Sequence, residues 1–397
     1  MTIDSSQDSS TARPSPRVLA LAVGTLLAAV AASVLAWGAG SPVAAAGHGG
    51  RADVPPKLFG VQPGPTTLDE TDAAKIAKTG VRTTRIGLNW LWVQPRPGPF
   101  NWTRIDEQVT TLAASGIEAF PTVTGTPSWI AGEPTTPPLG SPDRRKAWKA
   151  FVTAAVQRYG RDGTFWRPGP LGTSPFHLEC GCDARPVPIK AWQVWNEPNL
   201  THYFTPEPSP AAYASLLRIT HSAIRKADRE AKVVLAGLSD GGRTEHDVGA
   251  IPYLNRLYNI DGVKRTFDAM AIHPYARKVR GMRDVISAIR RAMKIQHDRR
   301  TPLYITEIGW GSASPNGFGT TKGIRGQRRI VERSMKMLLH QRKGWRLQRV
   351  YWFYWRDPPK STTGLPCRIC YSAGLLRSSR EPKPAYRTFK RIARRAL

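Results

Sequence analysis

Glu197 and Glu307 stand in matched settings. Glu197 ends the run Ala191-Trp-Gln-Val-Trp-Asn-Glu197 and precedes Pro198-Asn199, while Glu307 ends Leu303-Tyr-Ile-Thr-Glu307 and precedes Ile-Gly-Trp310. Each acid closes a short apolar, β-branched and aromatic stretch and is followed at once by turn-forming residues. That pattern puts a carboxylate at the carboxyl end of a buried strand, where α/β barrels build their sites. Two carboxyl groups across one gap can hydrolyse an acetal if their proton affinities are pushed apart. One delivers a proton to the leaving oxygen; the other stabilises or attacks the anomeric carbon, and in the retaining geometry they stand roughly 5–5.5 Å apart.

The acids are 307 − 197 = 110 residues apart, so the elements between them must bring them to one rim. From Leu58 onward strand-like runs alternate with amphipathic helical stretches, the order that builds a parallel sheet with crossover helices. The runs expected as strands are Leu58–Gln62, Val81–Leu88, Ile117–Val123, Ile189–Trp195, Lys232–Ala236, Phe267–Ile272, Pro302–Ile305 and Val350–Trp355. Helices are expected over Leu68–Lys78, Ile105–Ala114, Arg144–Tyr159, Ala211–Ala227, Ile251–Tyr258, Met282–His297, Arg325–Leu339 and Ala385–Ala396. Eight such units imply an α/β fold, a single (β/α)8 TIM barrel over 57–397, with the acids on strands four and seven. An open doubly wound sheet fits less well, because no Gly-rich phosphate loop follows the first strand. The Pro- and Gly-rich stretch Gly163–Pro188 interrupts the approach to strand four and is expected to cap the barrel floor or to mediate contacts.

Ahead of the barrel, Arg13 and Arg17 precede an apolar stretch from Val18 to Trp37, and Ala44-Ala45-Ala46 offers a small-residue cleavage site. Residues 1–46 therefore read as a signal peptide or membrane anchor and 47–56 as a linker, which carries the folded part outside the cytoplasm. An exported chain with four cysteines (Cys180, Cys182, Cys367, Cys370) is expected to form disulfides, with three connectivities open. The C-x-C and C-x-x-C spacing also admits a tetrathiolate zinc site.

A net charge of +29 narrows the partners. From Lys322 to Arg395 there are 21 Lys or Arg against Glu332, Asp357 and Glu381. That stretch also carries apolar residues at helical spacing, such as Ile330, Val331, Met335, Leu338 and Leu339, so it belongs to the fold rather than to a nucleic-acid-binding tail. An anionic cell-wall polymer, membrane headgroups or an acidic polysaccharide suits this basic exterior better than nucleic acid, and a merely solvated face is the alternative. Thirteen tryptophans leave some to spare for a cleft. Sugar rings present apolar faces that pack on indole.

Trp195-Asn196-Glu197-Pro198, His273-Pro274-Tyr275 and Thr306-Glu307 resemble the signature of clan A glycoside hydrolases. Arg85-Ile-Gly-Leu-Asn-Trp90, Pro99-Phe-Asn-Trp102 with Ile105-Asp106, and Thr126-Pro-Ser-Trp129 are similar to segments of the cellulase-like family 5 and the xylosidase-like family 39. The resemblance covers residues 57–397. It implies a retaining enzyme with Glu197 as general acid/base and Glu307 as nucleophile, needing no cofactor or metal and working as a monomer on carbohydrate. It also implies that Asn196 bonds the sugar 2-hydroxyl, that Arg85 sits under Glu307, and that Tyr275 donates to it. His273 would line the site, Trp355 would form the platform beneath the sugar, and Trp129 and Trp310 would be walls. A carbohydrate-binding or cell-envelope protein on the same fold, with weak turnover or none, is the competing reading.

Overall fold

Among the described residues, nine parallel strands carry the core, in the sheet order β5-β4-β3-β2-β1-β9-β8-β7-β6. They are β1 (Phe59–Val61), β2 (Thr83–Asn89), β3 (Glu118–Thr124), β4 (Ala191–Val194), β5 (Lys232–Val234), β6 (Leu238–Ser239), β7 (Met270–His273), β8 (Leu303–Ile308) and β9 (Leu347–Trp352). The helices are α1 (Glu70–Ala77), α2 (Trp90–Val93), α3 (Thr103–Ala114), α4 (Pro142–Tyr159), α5 (Pro175–Cys180), α6 (Pro210–Ala227), α7 (Ala250–Tyr258), α8 (Val279–Ile295), α9 (Gly323–Trp345) and α10 (Pro384–Arg395). This computed structural model describes residues 57–396 apart from 171, 241–243, 316–318 and 366. The export or anchor segment and the linker expected before Lys57 lie outside the described residues. Among the described residues, no helix is long and apolar enough to cross a membrane.

The sheet curls into a TIM-like barrel. Its two terminal members, β5 and β6, are halves of one run broken at Leu235–Gly237, so the expected fifth strand is present but interrupted. Val234 bridges Ala269 just before β7, and β6 pairs with β7. The break follows from close approach: a Cβ on Gly237 would lie 2.1 Å from Nε2 of His273, so the backbone passes where no side chain fits.

Inward-facing Phe120, Tyr304 and Tyr351 fill the lower barrel with Ala191, Val234, Ala269 and Ala271. The Phe120 and Tyr351 rings stack at 5.2 Å, and Tyr304 meets Phe120 edge-on at 6.0 Å. Below them Glu118, buried, pairs with Lys57 and faces Arg349. The floor is thus closed by side chains of the strands themselves. The insertion expected to cap it instead packs beside α3 and the end of α4, through Phe165, Trp166 and Phe176. Its Trp166 indole donates to the carbonyl of Tyr159.

The helices start where capping chemistry permits: Asp69, Ser141 and Ser209 each accept a backbone N–H of the first turn of α1, α4 and α6. The cysteines form two local disulfides, Cys180–Cys182 and Cys367–Cys370, so the tetrathiolate arrangement is not formed. The first joins the end of α5 to the residues that follow it. The second lies in the loop after β9.

Candidate active site

Both acids reach the barrel mouth through a local break in strand geometry. After β4, Trp195 and Glu197 take left-handed backbone conformations, with φ of 70° and 41°. Such conformations are costly for side chains other than Gly and Asn, and where they persist they mark positions the surroundings enforce. The turn buries the Trp195 indole against Trp148, with its N–H on the Tyr203 carbonyl, while Asn196 and Glu197 both face the site.

β8 uses a bulge. Ile305 pairs with Val350 and Ile308 with Trp352, so three steps on β8 match two on β9. The extra residue lets the consecutive Thr306 and Glu307 both point at the mouth, which strict alternation forbids.

Arg85, on β2, organises what meets there. Its guanidinium is 2.7 Å from Glu307 Oε1, 2.8 Å from Asn196 Oδ1, 3.1 Å from Gln193 Oε1 and 3.0 Å from Gln62 Oε1. Buried arginine needs this many acceptors to offset desolvation. The Tyr275 hydroxyl donates to the other oxygen of Glu307 at 2.9 Å. His273, fully buried, lies with Nδ1 2.7 Å from Glu197 Oε1 and Nε2 2.9 Å from Thr306 Oγ1, and its Nδ1 is 3.8 Å from Glu307 Oε2. One oxygen from each acid and the imidazole lie within 4.8 Å of one another.

The electrostatics favour an ionised Glu307. Burial pushes the Glu307 carboxyl up, but the charges facing it at His273 and Arg85 and the hydrogen bonds from Tyr275 and Arg85 outweigh that and hold it below the usual carboxylate range. Burial, with the charges of Glu307 and Glu197, pushes the Tyr275 phenol well above its ordinary value, so it stays a donor. A cation could in principle be held by Glu197, His273 and Glu307. Both Glu307 oxygens, however, already accept from Arg85 and Tyr275, an arrangement suited to proton transfer and nucleophilic attack.

The structure therefore brings Arg85, Asn196, Glu197, His273, Tyr275 and Glu307 together. The tryptophans fall differently. Trp355 is not a platform: its buried indole N–H bonds Asp72 on α1 at 3.0 Å and its ring meets Tyr386 on α10, on the outer side of the sheet. The expected strand register ran three residues too far. β9 ends at Trp352, and alternation carries no information beyond it. Trp310 is buried too, with its N–H on the Ala276 carbonyl and its ring 6.2 Å from Trp352, so it braces the loop behind Tyr275 rather than forming an open wall. Trp129 is half-buried against Trp90 with its N–H on the Gln94 carbonyl.

Phe353 and Tyr354 stand where a platform was expected. Phe353 meets Tyr275 edge-on at 6.1 Å, and the Tyr354 phenol is pushed up by burial and by the charge of Glu307 nearby. Tyr354 also touches Cys370, 3.7 Å from its sulfur. Trp92, on α2, is 42% exposed and carries the Arg104 guanidinium 4.0 Å from its ring centre. Its position just past β2 was the available signal.

The β-galactosidase profile of glycoside hydrolase family 42 matches residues 62–149, a stretch that includes Arg85 and Trp129 but neither acid. A β-galactosidase of Thermus thermophilus is 34% identical over 22% of this chain and 17% of its own length. The chain thus spans less than a fifth of the length of the curated relatives it matches. Among solved structures, a family 39 glycoside hydrolase from Bacteroides cellulosilyticus WH2 superposes with a TM-score of 0.59 at 19% identity, over 85% of this chain and 64% of that one. A GH39 β-xylosidase from Caulobacter crescentus gives 0.59 at 20%, over 86% and 72%. A GH5_18 protein from Streptomyces cattleya, in complex with GlcNAc, gives 0.61 at 17%, over 87% and 81%. In fold and in the segments matched, the chain resembles clan A glycoside hydrolases of the family 39 and family 5 type.

Proposed function

We propose that this protein is a retaining O-glycoside hydrolase acting on a β-linked poly- or oligosaccharide through a covalent glycosyl-enzyme. One observation carries the reading: a Glu197 oxygen and a Glu307 oxygen lie within 4.8 Å of each other, on either side of His273. That spacing leaves room for an anomeric carbon but not for an intervening water, as double displacement requires.

The charges around Glu307 support the division of roles. Glu307, held ionised by Arg85 and Tyr275, attacks the anomeric carbon and forms a glycosyl ester while the bond to the leaving oxygen breaks. Glu197 gives its proton to that oxygen, then as a carboxylate takes a proton from the water that attacks the ester. Asn196, fixed on Arg85, presents its amide to the sugar 2-hydroxyl.

The wider reading is a (β/α)8 domain over 57–397 behind an export or anchor segment at 1–46 and a linker at 47–56, placed outside the cell and working as a monomer. Its basic exterior would lie against an anionic wall polymer or membrane surface. The competing reading, a carbohydrate-binding envelope protein with little turnover, draws support from that exterior alone. A 2-deoxy-2-fluoroglycoside with a dinitrophenolate leaving group tests the proposal. Mass spectrometry should find the label on the peptide holding Glu307; a label elsewhere, or inversion of configuration by NMR, would overturn it.

A further inference from the structure

The rim of the site is divided in charge. Residues 274–278 and 309–322, the loops after β7 and β8, hold Arg277, Lys278 and Lys322 and no acid. Residues 195–209, after β4, hold Glu197 and Glu207 and no Lys or Arg, and residues 240–249, after β6, hold Asp240, Glu245 and Asp247 against Arg243. The cationic half is the half that carries the nucleophile and its tyrosine.

The three cations are gathered there by specific contacts. Arg277 and Lys278 follow directly on Tyr275-Ala276. Trp310 ties this loop to the Glu307 loop through the Ala276 carbonyl, and the Lys322 ammonium donates to the Arg277 carbonyl at 2.7 Å. Arg277 lies along Gly319, whose added Cβ would come within 3.0 Å of its Nε. Burial, with the charges of Arg277 and Lys278, pulls the Lys322 ammonium below its ordinary value.

Helix stability does not account for these charges. Lys278 and Lys322 occupy the N-cap positions of α8 and α9 without making a side-chain cap, as Lys383 does at α10, whereas Asp69, Ser141 and Ser209 cap α1, α4 and α6. A cation there opposes the helix dipole. No described carboxylate pairs with Lys278 or Lys322. Like charges brought together on the loops that follow Tyr275 and Glu307 are explained if a bound group of opposite sign completes them.

We propose that Lys278 and Lys322, with Arg277, form an anion subsite, so that the glycan taken by this site carries negatively charged substituents. This rests on the hydrolase reading and narrows its substrate class: carboxylate or sulfate on sugars lying toward Glu307, neutral or basic groups toward the acidic half near Glu197.

Titration calorimetry on the full chain with Glu197→Gln, which blocks turnover, tests this. The probes are hyaluronan and chondroitin-sulfate tetrasaccharides, carrying carboxylate without and with sulfate, against neutral cellotetraose and chitotetraose. At least one acidic probe should bind about tenfold tighter than the neutral ones, and the preference should weaken as salt rises. Lys278→Gln with Lys322→Gln should remove most of that preference while moving neutral affinities less than about twofold. Equal or tighter binding of the neutral probes, no binding of either acidic probe at millimolar concentration, or an unaltered preference in the double variant each overturns the proposal. Wild-type turnover separates the two readings. Selective acidic binding through Lys278 and Lys322 with no sugar released removes the hydrolase but keeps the subsite, whereas cleavage of neutral probes alone does the reverse.

Discussion

His273 stands between the two acids, its Nδ1 2.7 Å from Glu197 Oε1 and 3.8 Å from Glu307 Oε2. Its far nitrogen is fixed by Thr306, the neighbour of Glu307 in the bulged strand. The imidazole therefore couples the turn after β4 to the bulge in β8, and its ring survives only because residue 237 has no side chain. Gly237→Ala would drive a methyl to 2.1 Å from Nε2 and displace the ring. We expect kcat to fall about 10²-fold or more, the scale of a lost proton-transfer alignment. Circular dichroism should show the fold retained. Wild-type kcat in this variant would mean that His273 does not position the acids.

Glu307 offers a pH signature. Its carboxyl sits below the usual value of about 4.3, so it stays ionised while pH falls through the ordinary glutamate range. The acid limb of kcat/KM should accordingly lie below that range. The same depression adds stability that is complete above the unfolded value and lost as pH falls through the lower folded one. Tyr275→Phe removes one of the hydrogen bonds holding the carboxylate, so the limb should shift upward in pH as kcat falls. An acid limb that stays put in Tyr275→Phe would show that the phenol does not tune the nucleophile.

Replacing the acids should give different outcomes. Glu197→Ala keeps the nucleophile, so an aryl glycoside with a good leaving group should still form the glycosyl-enzyme and stall there. Added azide should release it as the β-azide, having taken the water's place. Glu307→Ala should lose both steps and also leave Arg85 facing a missing partner, at a cost on the order of 3–5 kcal/mol of stability. Azide should then attack directly and give the α-azide. Identical azide products from the two variants would contradict the assigned roles.

How far the sequence could be read is clearest at the two ends of β9. Strand existence, helix order and the placing of Glu197 and Glu307 at strand ends followed from apolar runs and turn residues, because burial and strand ends leave strong local marks, whereas the places of Arg85, Asn196, His273 and Tyr275 followed only from the family resemblance. Trp355 was misplaced because Tyr351–Trp355 is aromatic throughout, and a run without polar residues has no alternation to mark where the strand stops. The structure ends it at Trp352, sends Trp355 outward to Asp72, and leaves Phe353 and Tyr354 by the site. The bulge at Thr306-Glu307 and the left-handed turn at Trp195 and Glu197 were equally hidden, since each depends on pairing with a neighbour rather than on residue type. Trp355→Phe should therefore lower the melting temperature by removing a buried bond to Asp72 while leaving KM near wild type; a raised KM at unchanged stability would restore it to the cleft.

The loop after β9 gives the last prediction. Cys370 lies against Tyr354, which in turn feels the charge of Glu307, and the Cys367–Cys370 disulfide closes the short turn that holds it there. Phe353, Tyr354, Ile369 and Ala373 bury one another around that sulfur, with Tyr275 packed on the same cluster. A disulfide spanning so few residues adds little to global stability through chain entropy, because closing a short loop restricts the unfolded chain only slightly. Its effect should be local, on the wall that Tyr354 and Tyr275 form beside Glu307. Cys367→Ser with Cys370→Ser should raise KM severalfold and shift the melting temperature by only a few degrees. Tyr354→Ala should raise KM further by removing the wall itself. If the serine pair leaves KM untouched, the disulfide does not hold that wall in place.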